Sequence, residues 1–355
     1  MTRTMLFLLL AACAAGFGQT PPPSPTADRQ PQLAAHGHMT AMVFGRGHEI
    51  LFQRSKDGGA TFSKPVAIGT LPAFLLGRHR GPRIAFAGDT ILVSAIGGAT
   101  VASADLHLWR SADGGKTWSR PVIVNDVPAS AREGLHAMAA DASGNAAAVW
   151  LDLRSPGTRL YGSFSSDAGA TWSRNSIVFE SPGGTICQCC HPSLLALGRG
   201  QFAVMFRNVA GGNRDMYLLR VQNGEILSGA EKLGKGSWQL DGCPMDGGGL
   251  AQSGNGILTA WRRGEDIFLA APGEPEEKIG SGKDVALAAG DGTVYAVWNQ
   301  AGEIEARVAS RMQLLSKAGA FPVVIALPDG AALAAWEEDG TIKTQRLVSS
   351  AGDGK

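Results

Sequence analysis

"SKDGGATF" (residues 55–62), "SADGGKTW" (111–118) and "SSDAGATW" (165–172) are three copies of one phrase, S-x-D-x-G-x-T-[WF], with Asp57, Asp113 and Asp167 spaced 56 and 54 residues apart. Each element has a local physical task. Ser and Asp side chains bond neighbouring backbone N–H groups and fix a tight turn. The Gly adopts positive φ without a Cβ clash, and the closing aromatic packs the turn onto the sheet beneath it. A strand-like run precedes each copy ("EILFQR", "DLHLWR", "RLYGSF"), and another follows it ("SKPVAI", "SRPVIV", "SRNSIVF"). The phrase therefore predicts a turn between two antiparallel strands.

Outside these turns a second pattern recurs: a short apolar strand, a Gly-containing turn, then a strand often ending in Trp. It runs through "QLAAHGHMTAMVF" (32–44), "PRIAFAGDTILVSAI" (82–96), "HAMAADASGNAAAVWLD" (136–152), "PSLLALGRGQFAVMFRN" (192–208), "GGLAQSGNGILTAWRRG" (248–264), "VALAAGDGTVYAVWNQ" (285–300) and "PVVIALPDGAALAAWEE" (322–338). Seven such units at near-regular spacing predict a closed ring of sheets. Trp150, Trp261, Trp298 and Trp336 share one repeat position, which marks them as packing residues. The last unit has no clear fourth strand; either the N-terminal segment supplies it or it is missing.

The eight-residue phrase is the Asp-box, and the chain resembles the sialidase-like (BNR repeat) β-propeller family over nearly its whole length after the N-terminus. The resemblance implies an all-β fold, a propeller of four-stranded antiparallel blades. Seven repeats are counted here, whereas sialidases usually have six blades, the alternative count. Asp-boxes join the third and fourth strands of a blade, so they occupy the face opposite the loops that enter each inner strand, and they are scaffold.

The chain has 32 basic and 31 acidic side chains among 355 residues, so no charge excess argues for nucleic acid or an anionic membrane as partner. The first residues, "MTRTMLFLLLAACAAGFGQ", follow export-signal grammar, with an apolar run too short to span a bilayer. "LAAC" ending at Cys13 also matches a lipobox, which would add a lipid anchor. The expected organisation is a signal peptide or lipoprotein signal over 1–18, a Pro-rich tether over 19–31, the propeller over 32–348 and a disordered tail over 349–355. The expected location is the periplasm or the extracellular space, with no transmembrane span in the mature chain.

Chemistry concentrates in two loops, "TICQCCHPSL" (185–194) and "DGCPMDGGGL" (241–250). Aligning the inner strands that follow them sets Cys187 over Cys243, Cys189 over Met245 and Cys190 over Asp246. Both loops then enter one face near the axis, where His136 and Arg83 begin neighbouring inner strands. Second-strand ends add Asp152, Arg154, Arg207, Asn208, Arg262 and Arg263. Three assignments follow. Cys187, Cys189, Cys190, His191, Cys243 and Met245, with His136 beside them, form a sulfur-rich set suited to copper, zinc being the lesser candidate. Four cysteines in an oxidising compartment could instead form disulfides, a Cys187 or Cys190 bond to Cys243 stapling two blades of a structural or interaction propeller. The resemblance implies a third assignment, a glycosidase for acidic sugars. In it Arg83, in "PRIAF" where the family has R-I-P, would join Arg207 and Arg262 in binding a carboxylate, beside Asp152 as acid/base. Against it, Tyr161, Tyr217 and Tyr295 all fall inside strands, leaving no tyrosine nucleophile in a funnel loop. The expected partner is a small-molecule or glycan ligand. "GRHRGPR" (77–83) reads as a solvated basic loop.

Overall fold

The structure, a computed structural model, describes residues 26–349 apart from position 255. The signal, lipobox and C-terminal tail assignments lie outside the described residues. Seven antiparallel sheets follow one another along the chain. Their innermost strands are Asp28–His36, Arg83–Ala87, His136–Ala140, Ser193–Gly198, Gly248–Ser253, Lys283–Gly290 and Ala320–Ala326 for blades 1 to 7. The first strand begins at Asp28, inside the stretch expected to be tether. Blade 2 splits its inner edge with a short additional strand, Ala73–Phe74, and blade 4 splits its outer strand into Glu225–Ile226 and Glu231–Lys232.

Period-two alternation explains how these sheets become a ring. In the second strand of blade 3, Ala146, Ala148 and Trp150 point into a core shared with blade 2, while Ala147, Val149 and Leu151 point into a core shared with blade 4. A strand buried on both faces reads as a continuous apolar run, as "AAAVWL" does. The same two-sided packing gives seven inter-blade cores, pairing blades 1 and 2 through 6 and 7 and finally 7 and 1. Seven interfaces close a seven-bladed propeller and exclude the six-bladed count. Trp150 and Trp298 are fully buried in these cores, and Trp261 and Trp336 nearly so.

Blade 7 has three strands, Ala320–Ala326, Ala332–Glu338 and Thr341–Leu347, and no described residue supplies a fourth. Blade 1 is complete with its own inner strand, so the ring closes by side-by-side contact rather than by a shared sheet. Glu337 Oε1 accepts from Gln30 N at 2.7 Å and Gln30 Nε2 at 3.0 Å, and Arg29 pairs with the other oxygen. Asp28 N donates to Gly340 O at 2.9 Å.

The Asp-boxes sit where expected, between third and fourth strands, and their bonds repeat. Asp57 Oδ1 accepts from Thr61 N at 2.9 Å and Oδ2 from Thr61 Oγ1 at 2.6 Å; Asp113–Thr117 and Asp167–Thr171 match. The aromatic, however, packs sideways rather than down. Trp118 meets Phe52 of blade 1 edge-on at 5.1 Å, and Trp172 joins the core between blades 2 and 3. The box glycine explains why: a Cβ at Gly59 would lie 2.4 Å from Leu333 of blade 7, at Gly115 2.3 Å from Phe52 of blade 1, and at Gly169 2.8 Å from Leu92 of blade 2. Each box docks on the preceding blade, and only Gly allows that approach.

Candidate functional site

The starts of the inner strands surround an axial cavity of about 190 Å³ on the face opposite the boxes. In blades 1, 6 and 7 the pairing register shifts near the start of the inner strand, and Gln30, Asp284 and Phe321 take positive φ (56°, 59° and 50°) at these bulges. All three residues line the cavity. Left-handed backbone at non-glycine residues costs about 1–2 kcal/mol each and persists only where the surroundings hold it.

Blade 2 contributes a different device. Gly77 and Arg80 exchange backbone hydrogen bonds at 2.8 and 3.1 Å, with Arg78 and His79 between them at φ 52° and 66°. Positive φ at both central residues is the signature of a two-residue I′ hairpin turn. Arg83 holds this turn: Nη2 donates to His79 O at 2.6 Å, Nη1 to Pro82 O at 2.9 Å and Nε to His136 O at 3.2 Å. Burial lowers the Arg83 pKa to about 10. His79, at the tip, reaches Asp284 Oδ1 through Nε2 at 2.8 Å. Its ring lies 4.4 Å from that of His191 and 5.2 Å from that of Phe321.

Arg207 is likewise committed to carbonyls. Its guanidinium donates to Arg214 O at 2.7 Å, Arg262 O at 3.1 Å and Asp246 O at 3.3 Å. Arg262 donates to Gly264 O at 2.6 Å and lies over the Trp238 ring. Asp152 is buried, accepts from Trp150 Nε1 at 2.8 Å and pairs with Arg154. The structure thus places Arg83, Arg207, Arg262 and Asp152 in loop-holding and core-satisfying roles, and of the four only Arg83 lines the axial cavity. The tyrosines lie elsewhere too. Tyr295 is fully buried and donates to Gly330 O at 2.8 Å. Tyr161 packs under Arg154, and Tyr217 packs beside Phe206.

Three thiols do come together. Cys187 Sγ is 3.5 Å from Cys190 Sγ and 3.7 Å from Cys189 Sγ, and the last two are 3.9 Å apart. Cys187 N donates to Arg207 O at 3.1 Å, which pins the loop to blade 4, and Arg214 Nη1 donates to Cys187 Sγ at 3.3 Å. Hydrogen bonding with Cys189 and Cys190, helped by Arg214, holds the Cys187 thiol far below its ordinary pKa against the effect of burial. Burial pushes Cys190 up. Cys243 is exposed on the adjoining loop and interacts with Cys189. All four described cysteines are free thiols, so neither staple is formed.

Of the remaining metal candidates, the two histidines are engaged elsewhere. His136 is fully buried, its Nε2 2.9 Å from Ser94 Oγ. Met245, at φ 55°, is half-buried. His191 turns to the axial cavity; burial, then the neighbouring His79 and Arg83, push its pKa well down, and its Nδ1 bonds Pro192 O at 3.2 Å. The thiols therefore stand beside the axial cavity rather than in it, with His191 between. The two loops do share a face: Ser193 Oγ donates to Gly248 O at 2.5 Å, and a Cβ on Gly247 would lie 2.5 Å from the His191 ring.

A second cluster escaped the sequence. One ligand atom each of His79, Asp246 and Asp284 lie within 4.8 Å of one another. Asp246 is 1% exposed; Oδ2 accepts from Asp284 N at 3.2 Å and Oδ1 has no partner among the described residues. Burial and the Asp284 carboxylate raise the Asp246 pKa to about 6. The usable signal was "MDGGG": three glycines after Asp246 announce close backbone approach, and Cβ atoms at Gly248 and Gly249 would meet Ala260 O at 2.5 Å and Leu287 N at 2.6 Å.

No family model matches the chain, and neither does any curated protein. Solved structures do. A Hadza microbial sialidase, Hz136, aligns with TM-score 0.55 and 15% identity over 92% of this chain and 66% of its own. A Penicillium chrysogenum α-L-arabinanase complexed with arabinobiose aligns with TM-score 0.52 and 11% identity over 92% and 95%. A PL25 polysaccharide lyase, an ulvan lyase bound to a GlcA–Rha3S unit, aligns with TM-score 0.56 and 10% identity over 91% and 94%. At these identities the likeness is one of fold: this chain has a sialidase-like β-propeller fold, shared with proteins that act on glycans.

Proposed function

We propose that the protein is an exported propeller that binds a soft metal ion, Cu(I), through Cys187, Cys189 and Cys190. The observation that carries this is the sulfur triangle, with edges of 3.5, 3.7 and 3.9 Å. Sulfurs about 2.3 Å from one tetrahedral ion stand about 3.8 Å apart, and about 4.0 Å apart around a trigonal one. Soft thiolates favour Cu(I), which accepts three ligands, whereas Zn²⁺ in a closed site takes four. Cys243 is the available fourth sulfur and is exposed. Arg214 against Cys187 offsets the excess negative charge of three thiolates.

The test is an anaerobic titration of the reduced mature chain with Cu(I) against a chromophoric chelator, alongside a free-thiol count. One Cu(I) per chain is expected, with binding lost in Cys187→Ser and Cys190→Ser. Copper retention below one per chain with no free thiols, or unchanged binding in both variants, would overturn the assignment.

A second reading, a glycan ligand in the axial cavity, is favoured by the sugars named in the arabinanase and ulvan lyase complexes. Sialidase-type hydrolysis is the less favoured form of it, because the Arg83 and Arg207 guanidiniums are engaged by carbonyls. A fluorogenic sialoside turned over by wild type and not by Arg83→Ala and Arg207→Ala would restore it.

A further inference from the structure

The axial cavity has a feature that neither the thiols nor a glycan ligand explains. Asp246 and Asp284 are both nearly buried, at 1% and 6% exposure. Two carboxylates in low dielectric demand positive charge, since an uncompensated buried anion costs several kcal/mol. Neither of the arginines nearby donates to these carboxylates. Arg207 reaches only the Asp246 carbonyl, and Arg83 gives its guanidinium to His79, Pro82 and His136 carbonyls. Among the described residues His79 is the one side chain bonded to the Asp284 carboxylate, and Asp246 Oδ1 faces no donor.

We propose that His79, Asp246 and Asp284 form a divalent-cation site with mixed nitrogen and oxygen ligands on the wall of the axial cavity, separate from the thiol set. An imidazole with two carboxylates suits a first-row divalent ion such as Zn²⁺ or Mn²⁺ rather than Cu(I). The ligand atoms lie within 4.8 Å of one another, and the His79–Asp284 pair is already at 2.8 Å. Nitrogen and oxygen ligands about 2.1 Å from a tetrahedral ion stand about 3.4 Å apart, so closure asks for little more than side-chain rotation. Three separate blades contribute: the I′ hairpin of blade 2 presents His79, the loop before blade 5 presents Asp246, and the bulge of blade 6 presents Asp284. Both His79 and Asp284 occupy left-handed backbone, so the fold bears strain at two of the three ligands. Since these two also line the cavity, an ion held here is reached from the axis, where it can take an oxygen of whatever enters.

Co²⁺ separates this site from the thiols, because thiolate coordination gives intense near-ultraviolet charge-transfer bands and nitrogen/oxygen coordination gives only weak visible bands. The chelator-stripped mature chain is titrated with Co²⁺ and then Zn²⁺. Expected is one equivalent bound without thiolate charge transfer, retained in Cys187→Ser and weakened by more than about 100-fold in Asp246→Asn, beyond the 10–100-fold typical of outer-shell partners. Should Asp246→Asn unfold, His79→Gln, altered at a hairpin tip, gives the same readout, with apo circular dichroism as the folding control. Absence of such an equivalent, or its persistence unweakened in every folded variant of His79 and Asp246, overturns the proposal.

Discussion

Ring closure makes a quantitative demand on Glu337. The residue is 8% exposed, and its carboxylate holds blade 7 to blade 1 through two hydrogen bonds from Gln30 and an ion pair with Arg29. Replacement by Ala removes both charge-assisted bonds, leaves the buried Gln30 N–H without an acceptor and unpairs Arg29. Breaking a buried pair by removing one partner costs about 3–5 kcal/mol. Glu337→Gln keeps an oxygen for both Gln30 donors and loses the charge and the Arg29 pair, its NH2 replacing the oxygen that meets Arg29, so about 1–2 kcal/mol is expected. With an m-value of about 3 kcal/mol/M in urea, Glu337→Ala shifts the unfolding midpoint down by about 1 M or more and Glu337→Gln by about half of that or less. Equilibrium urea unfolding followed by tryptophan fluorescence measures both. Equal shifts for the two variants, or a shift for Glu337→Ala below about 0.3 M, would refute the argument that this carboxylate closes the ring.

Three further outcomes are expected. Gly247→Ala drives a Cβ to within 2.5 Å of His191, whereas Gly242→Ala meets nothing closer than 3.8 Å; the first should cost about 1–3 kcal/mol and shift the His191 ring signals in NMR, the second stay within about 0.5 kcal/mol. Trp150→Ala, at a fully buried position whose indole N–H serves Asp152, should cost about 3–5 kcal/mol in thermal or chemical unfolding. The box carboxylates of Asp57 and Asp167 are lowered to about 2, by hydrogen bonds from Ser55 and Thr61 in the one and from Thr171 and Ser165 in the other. Because the folded values are depressed, their stabilisation is present above about pH 4 and is lost as pH falls towards 2. The unfolding midpoint of wild type should drop more steeply across that window than that of an Asp57→Asn/Asp167→Asn variant.

The fold was legible because its signals are local. Ser55, Asp57, Gly59 and Thr61 write a turn within seven positions, and alternation in "AAAVWL" writes a strand buried on both faces. The direction in which Trp118 packs was not legible, since it depends on the neighbouring blade. The site was legible in part: aligning inner strands brought the loops around Cys187 and Cys243 to one face. Whether a guanidinium points at a ligand or at backbone is decided by the loop path, so Arg83 and Arg207 could not be told from substrate-binding arginines. His79 was hidden because a I′ turn made of Arg and His lacks the Asn-Gly signature that marks such turns.

The docking of each Asp-box on the blade before it gives the ring an order of assembly. Blade 2 can settle against blade 1, and blade 3 against blade 2, as each is made. Blade 1 differs, for Gly59 awaits Leu333 and Gln30 awaits Glu337, 307 residues further on. The first-synthesised sheet is therefore the last to gain its full set of neighbours, and a chain truncated before Ala320, where the last blade begins, keeps two raw flanks that can seek each other on different molecules.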